Sequence, residues 1–152
     1  MKRKEKLILY LSVLFVSILM NIRTTYAQVP NGDLLLGDWT DSKKETIVHC
    51  YKQDGKYYAK TIWIQYLAHP DQPLPQHMQK WLNVMVMKDF KFEKNEWTNG
   101  VIFQPRTNKT YSAYIRLKDN NTMQVTGYVW LRFFSESETF SRVSDMQSVK
   151  LY

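Results

Sequence analysis

The stretch EWTNGVIFQPRTNKTYSAY, running from Glu96 to Tyr114, decides how this chain folds. It is two strand-like runs rich in Val, Ile, Phe, Thr and Tyr, punctuated at Asn99-Gly100 and again from Pro105 to Lys109. Asn-Gly reaches positive φ with little steric cost, and the Pro/Arg/Thr/Asn cluster breaks one strand before the next starts at Thr110. This is the chemistry of hairpins.

Working outward, no stretch beyond residue 30 keeps a helical period for three turns, whereas short β-branched and aromatic runs recur between turn residues. The pattern predicts strands at Leu34–Thr40, Thr46–Gln53, Lys56–Tyr66, Trp81–Phe92, Val101–Gln104, Thr110–Lys118, Thr122–Phe133 and Glu138–Val143, with a ninth candidate at Gln147–Tyr152. Asp54-Gly55 and Asp119-Asn120-Asn121 supply tight turns between neighbours. Ala68–Gln79 holds Pro70, Pro73 and Pro75 and is expected to be a surface loop or lid. Eight or nine antiparallel strands joined in sequence end as an up-and-down barrel or a sandwich. Aromatics on both faces of runs such as Tyr57–Tyr66 favour the barrel, with a partly polar interior.

Residues 1–27 carry the pattern of a secretory signal: Lys2, Arg3, Lys4 and Lys6, an apolar run from Leu7 to Met20, then Thr25-Tyr26-Ala27 before Gln28. The run is shorter than the roughly 20 residues of a spanning helix, so cleavage is expected over a retained anchor. No cysteine stands at the junction to carry a lipid. The expectation is an exported domain over residues 28–152, periplasmic or extracellular, without stable membrane insertion. The whole chain carries a net charge of +7, but residues 1–27 hold five of the basic side chains and one acid, which leaves +3. No clustered basic stripe remains to suggest nucleic acid. Cys50 is the sole cysteine, so no intrachain disulfide forms, and its apolar setting fits a small buried residue.

The two ends of this meander carry a further pattern. Gly37-Asp38-Trp39 in the first strand and Phe140-Ser141-Arg142 in a late one resemble the lipocalin-like (calycin) closure, an indole at the barrel floor with an arginine packed across it. The chain also resembles a bacterial envelope family known as domain of unknown function 2147. Trp97 to Tyr111 is similar to that family's W-x-x-G-x-I-x-x-P-x-x-x-K-T-Y core, Asp54 to Ile62 to its D-G-K-Y-Y-G-K-I hairpin, and Val125-Thr126-Gly127-Tyr128 and Thr139 to Val143 to its last strands. Ala59 replaces a usual glycine, Phe140 a usual tryptophan, and Asn83 stands where a Leu-Gly pair is common. The resemblance implies a lipocalin-like barrel and export, and supplies no catalytic residues.

His69, Asp71 and His77 share the proline-rich loop, but their spacing matches no metal motif, and no metal or cofactor is expected. His49 is expected as a core or lumen histidine. Glu136 and Glu138 share one side of a strand and are expected on a solvent face, with a glycosidase pair as the alternative. Rings offer the better lead: a lumen or mouth site lined by Tyr58, Lys60, Trp97, Tyr111 and Tyr128, Lys60 anchoring an acidic head group, with the proline-rich loop near its entrance. The function expected is binding of a small hydrophobic or amphipathic molecule. The alternatives are an envelope interaction or stability factor with a filled barrel, and a small-substrate hydrolase using Asp71 or the loop histidines.

Overall fold

The computed structural model describes residues 31–65, 75–129 and 135–144. Within them a 3₁₀ helix (Gly32–Leu35) precedes β1 (Gly37–Asp41), β2 (Thr46–Gln53), β3 (Lys56–Ile64), the one-turn helix α1 (Gln76–Gln79), β4 (Met85–Glu93), β5 (Glu96–Gln104), β6 (Lys109–Asp119), β7 (Thr122–Tyr128) and β8 (Ser135–Arg142). Each strand pairs antiparallel with the next, and β8 returns to β1 through Trp39 opposite Arg142 and Asp41 opposite Phe140. The result is a closed up-and-down barrel.

Turn chemistry sets the meander. Asp54 and Gly55 take φ of 49° and 74° between β2 and β3, and Lys94 and Asn95 take 51° and 67° between β4 and β5. Paired left-handed residues match the twist of the strands they join. Asn99 also has positive φ, at 60°, yet it starts no turn. It lies inside β5, where the pairing to β6 slips between Trp97 and Gly100. Asn-Gly serves here as a bulge that bends one long strand, so the two runs of the opening stretch become β5 and β6 with a turn only at 105–108. Gly100 is needed for another reason, since a Cβ there would sit 2.4 Å from the Phe90 ring.

Other boundaries move for similar local reasons. Leu34 and Leu35 belong to the 3₁₀ helix, whose first turn is capped by Asn31 accepting from the Asp33 amide. Trp81 to Val84 precede β4 as a turn, with Asn83 at φ 58°. The ninth candidate strand and the continuation of β7 past Val129 lie outside the described residues.

Alternation divides most of the wall, although Thr40, Ile64, Thr98 and Thr126 are buried on the opposite parity. Trp39, Val48, Cys50, Tyr57, Ala59, Phe90, Trp97, Ala113, Ile115 and Met123 point inward and form one buried cluster. Ile47 and Trp63 pair across β2 and β3, are also buried, and lie apart from that cluster. The expectation of a partly polar interior holds at one end only: the floor half is apolar and filled.

Candidate functional site

The floor is built by the 3₁₀ helix and the two ends of the barrel. Trp39 is completely buried, and its Nε1 donates to Leu35 O at 2.8 Å. The Arg142 guanidinium lies 4.1 Å from the centre of that indole. It donates through Nη2 to Leu34 O at 2.6 Å, through Nη1 to Leu36 O at 2.9 Å and through Nε to Asn120 O at 2.7 Å. One side chain thus ties the 3₁₀ helix, the start of β1 and the β6–β7 turn to the ring beneath it. Gly37, at φ 112°, leaves the space, because a Cβ would come within 3.3 Å of Arg142 Nη1.

At the opposite end the interior changes character along the same strands. On β6, Ile115 and Ala113 are wholly buried while Tyr111, next on that side, is partly exposed. On β7, Met123 and Val125 are buried and Gly127 is partly exposed; on β8, Phe140 is buried and Glu138 and Glu136 are exposed. The register places these residues in common inward rows: Ala113 with Gly127 and Glu136, then Ile115 with Val125 and Glu138. Ile102, opposite Tyr111, lies over Gly127, where a Cβ would meet its Cδ1 at 2.9 Å. Water therefore reaches the inner wall on the β6–β8 side of the mouth, whereas Thr61 and Trp63, toward the mouth on β3, stay buried. The mouth is a cup with Ile102 and Tyr111 on one wall and carboxylates on the other.

Asp41 completes the acidic wall, since its pairing with Phe140 puts it on the inward side of β1. Its Oδ1 accepts from the Glu45 and Thr46 amides at 2.7 and 3.4 Å, yet burial outweighs those bonds and raises its pKa. Glu138 is reached by water, yet partial desolvation against the inner wall raises its pKa too, and the neighbouring Asp41 charge adds to the effect. Glu136 and Glu138 share a side as expected, but it is the lumen side and not an outer solvent face.

The residues expected to line one site divide between the two faces. Trp97 is buried in the floor half, with its ring edge-on to Tyr57 at 6.1 Å and tilted on Phe92 at 4.8 Å. Tyr111 faces the cup. Tyr58, Lys60 and Tyr128 occupy the alternate, outward positions: Tyr58 stacks on Tyr51 at 5.6 Å and donates to Asp89 at 3.2 Å, Lys60 is exposed, and Tyr128 packs near Tyr114 at 6.3 Å. Lys60 therefore cannot anchor a head group in the lumen. Period-two alternation fixes which residues share a face but not which face is inside.

His49 is likewise outside, its Nδ1 2.6 Å from Asp38 Oδ1, which corrects its expected lumen position. Cys50 faces in beside it, and burial pushes its thiol up to about 12, so it is inert as a nucleophile. His77 lies on α1 with its ring edge-on to Trp81, while His69 and Asp71 fall outside the described residues. Among the described residues no three His, Cys, Asp or Glu side chains are grouped to hold a metal. A groove beside the floor, walled by Gly32, Tyr57, Phe92 and Lys91, is open to solvent and separate from the cup.

An eight-stranded meander, a 3₁₀ helix under its floor and an arginine over a floor indole define a lipocalin-like barrel. The chain belongs to the family described as an uncharacterized protein conserved in bacteria (DUF2147), whose model matches residues 37–142. Its fold is similar to that of protein HP1028 from the human pathogen Helicobacter pylori, described as belonging to the lipocalin family, with a TM-score of 0.58 and 19% identity over 78% of this chain and 90% of that one. No curated protein matches.

Proposed function

We propose that this protein is an exported carrier or sensor of a small amphipathic molecule, held tail-inward in the mouth half of the barrel. The observation that carries the reading is the change from buried to water-reached positions along the inner face of β6, β7 and β8. Barrel mouths of this kind are favoured small-ligand sites, and the lipocalin-like fold supports the same reading. The packed floor limits the depth, so a short or branched apolar tail fits better than a long straight one.

The wall chemistry argues for the head group. Asp41, Glu136 and Glu138 face the cup, and Lys60 does not. An acidic head would meet Asp41 and Glu138, whose ionisation desolvation already opposes, whereas an amine or hydroxyl head relieves that desolvation by donating to them. Calorimetric titration with an alkylammonium, an alkanol and an alkanoate of one chain length tests this. The alkylammonium should bind tightest, and Glu138→Gln should weaken it while leaving the alkanol little changed. Equal binding of all three, or tightest binding of the alkanoate, removes the head-group assignment; saturable binding of none removes the cup. Export rests on the order of basic, apolar and small residues before Gln28. Intact mass of material from the producing cells should begin at Gln28, and a mass that includes residues 1–27 would contradict it.

A further inference from the structure

The cup is bridged by an ion pair that the barrel's own topology makes unusual. In a closed ring ordered β1 to β8, the β1–β2 and β5–β6 hairpins stand half a circumference apart, and both turn at the mouth. Arg106, in the β5–β6 turn, nonetheless places Nη2 2.9 Å from Oε2 of Glu45 in the β1–β2 turn. Opposite rims of the barrel are thus joined by two side chains that cross the opening.

The two ends are anchored differently. Glu45 is fixed by its backbone: its amide donates to Asp41 Oδ1 at 2.7 Å, and its carbonyl accepts from the Gln65 amide at 2.7 Å. Its side chain is 33% exposed, while that of Arg106 is 64% exposed. Among the described residues the further side-chain tie of the Arg106 turn is local, Thr107 Oγ1 donating to Gln104 Oε1 at 2.8 Å, and Asn108 takes φ 55°. A fixed acceptor and a long, solvated donor on a short turn make a contact that can open without disturbing the ladder below.

We infer that the Arg106–Glu45 pair is a latch across the barrel mouth, closed at rest and opened to admit the ligand. The inference rests on the cup reading for its purpose, though not for its geometry. An exposed pair biases a two-state equilibrium only weakly, so the latch sets the rate of entry by about two- to fivefold and does not seal the barrel. Being solvated, it also loosens with salt.

Entry can be measured without any ligand. In the full chain carrying Ile102→Cys, the rate of labelling by a small neutral thiol reagent reports access to the cup, and Cys50 adds only a slow background because it is buried and its thiol is pushed up to about 12. Arg106→Ala and Glu45→Gln should each raise the labelling rate about two- to fivefold. The double variant should add nothing further, and the exchanged pair Glu45→Arg with Arg106→Glu should restore slow labelling. Salt should speed the parent protein and leave Arg106→Ala unchanged. Urea midpoints recorded alongside separate latch opening from general loosening. Labelling that ignores both single variants, or that follows a drop in urea midpoint, overturns the latch even if an alkylammonium still binds. Labelling that responds as expected while no amphiphile binds keeps the latch and removes the cup's proposed ligand.

Discussion

Arg142 and Trp39 show how much one pair of side chains can organise. The indole is fully buried, and its guanidinium cover satisfies three backbone carbonyls that the strand ladder leaves over. Trp39→Ala should cost about 3–5 kcal/mol in urea unfolding, the range for truncating a large buried aromatic. Arg142→Lys should also destabilise, because a single ammonium cannot replace a planar fork that donates to carbonyls on three segments. A melting temperature unchanged in Arg142→Lys would mean that the charge over the ring, and not the fork, matters. Both residues were legible before the structure, since Gly-x-Trp and a late arginine have a mechanical reason to meet. Lys60 and Tyr58 were not. Their strand carries rings on both faces, and the burial of Tyr57, Ala59, Thr61 and Trp63 is what marks the parity that turns inward.

At the scale of elements, hairpin residues predicted the order and neighbours of the strands, while β5 showed where such signals mislead. Asn99-Gly100 has turn chemistry, but pairing on both sides of it holds the strand together and converts the turn signal into a bulge. Gly100→Ala should therefore be destabilising by about 1–3 kcal/mol, because the new methyl meets the Phe90 ring and not solvent. The acidic wall shared by β1 and β8 predicts a pH dependence. Burial raises Asp41 and Glu138, so the folded state holds their protons more tightly than the unfolded chain does. Their contribution is fully present at low pH and is lost as pH rises from the ordinary carboxylate range of about 4 through their raised values. Asp33 and Asp89 act oppositely, lowered chiefly by hydrogen bonds from Lys52 and Lys56, and their contributions fade on acidification. The stability of Glu138→Gln relative to the parent protein should thus grow between pH 4 and 7, measured by urea midpoints. A difference that stays constant or shrinks over that interval would show that the carboxylate carries no desolvation penalty.

For the whole molecule, closure separates two environments that the sequence presents as one set of aromatics. Inside, a dry floor supports a wet cup; outside, Tyr51, Tyr58, Tyr114 and Tyr128 decorate the wall with partners of their own. The division follows from ring closure, which no local pattern encodes, and with it the proposed site passes from five scattered residues to the inner rim. Backbone chemical-shift mapping during titration with an alkylammonium tests that relocation most directly. Saturable shifts are expected at Ile102, Tyr111, Gly127, Glu136 and Glu138, with Tyr58, Lys60 and Tyr128 unmoved. Shifts confined to the outer wall, or no saturable shift anywhere, would contradict it.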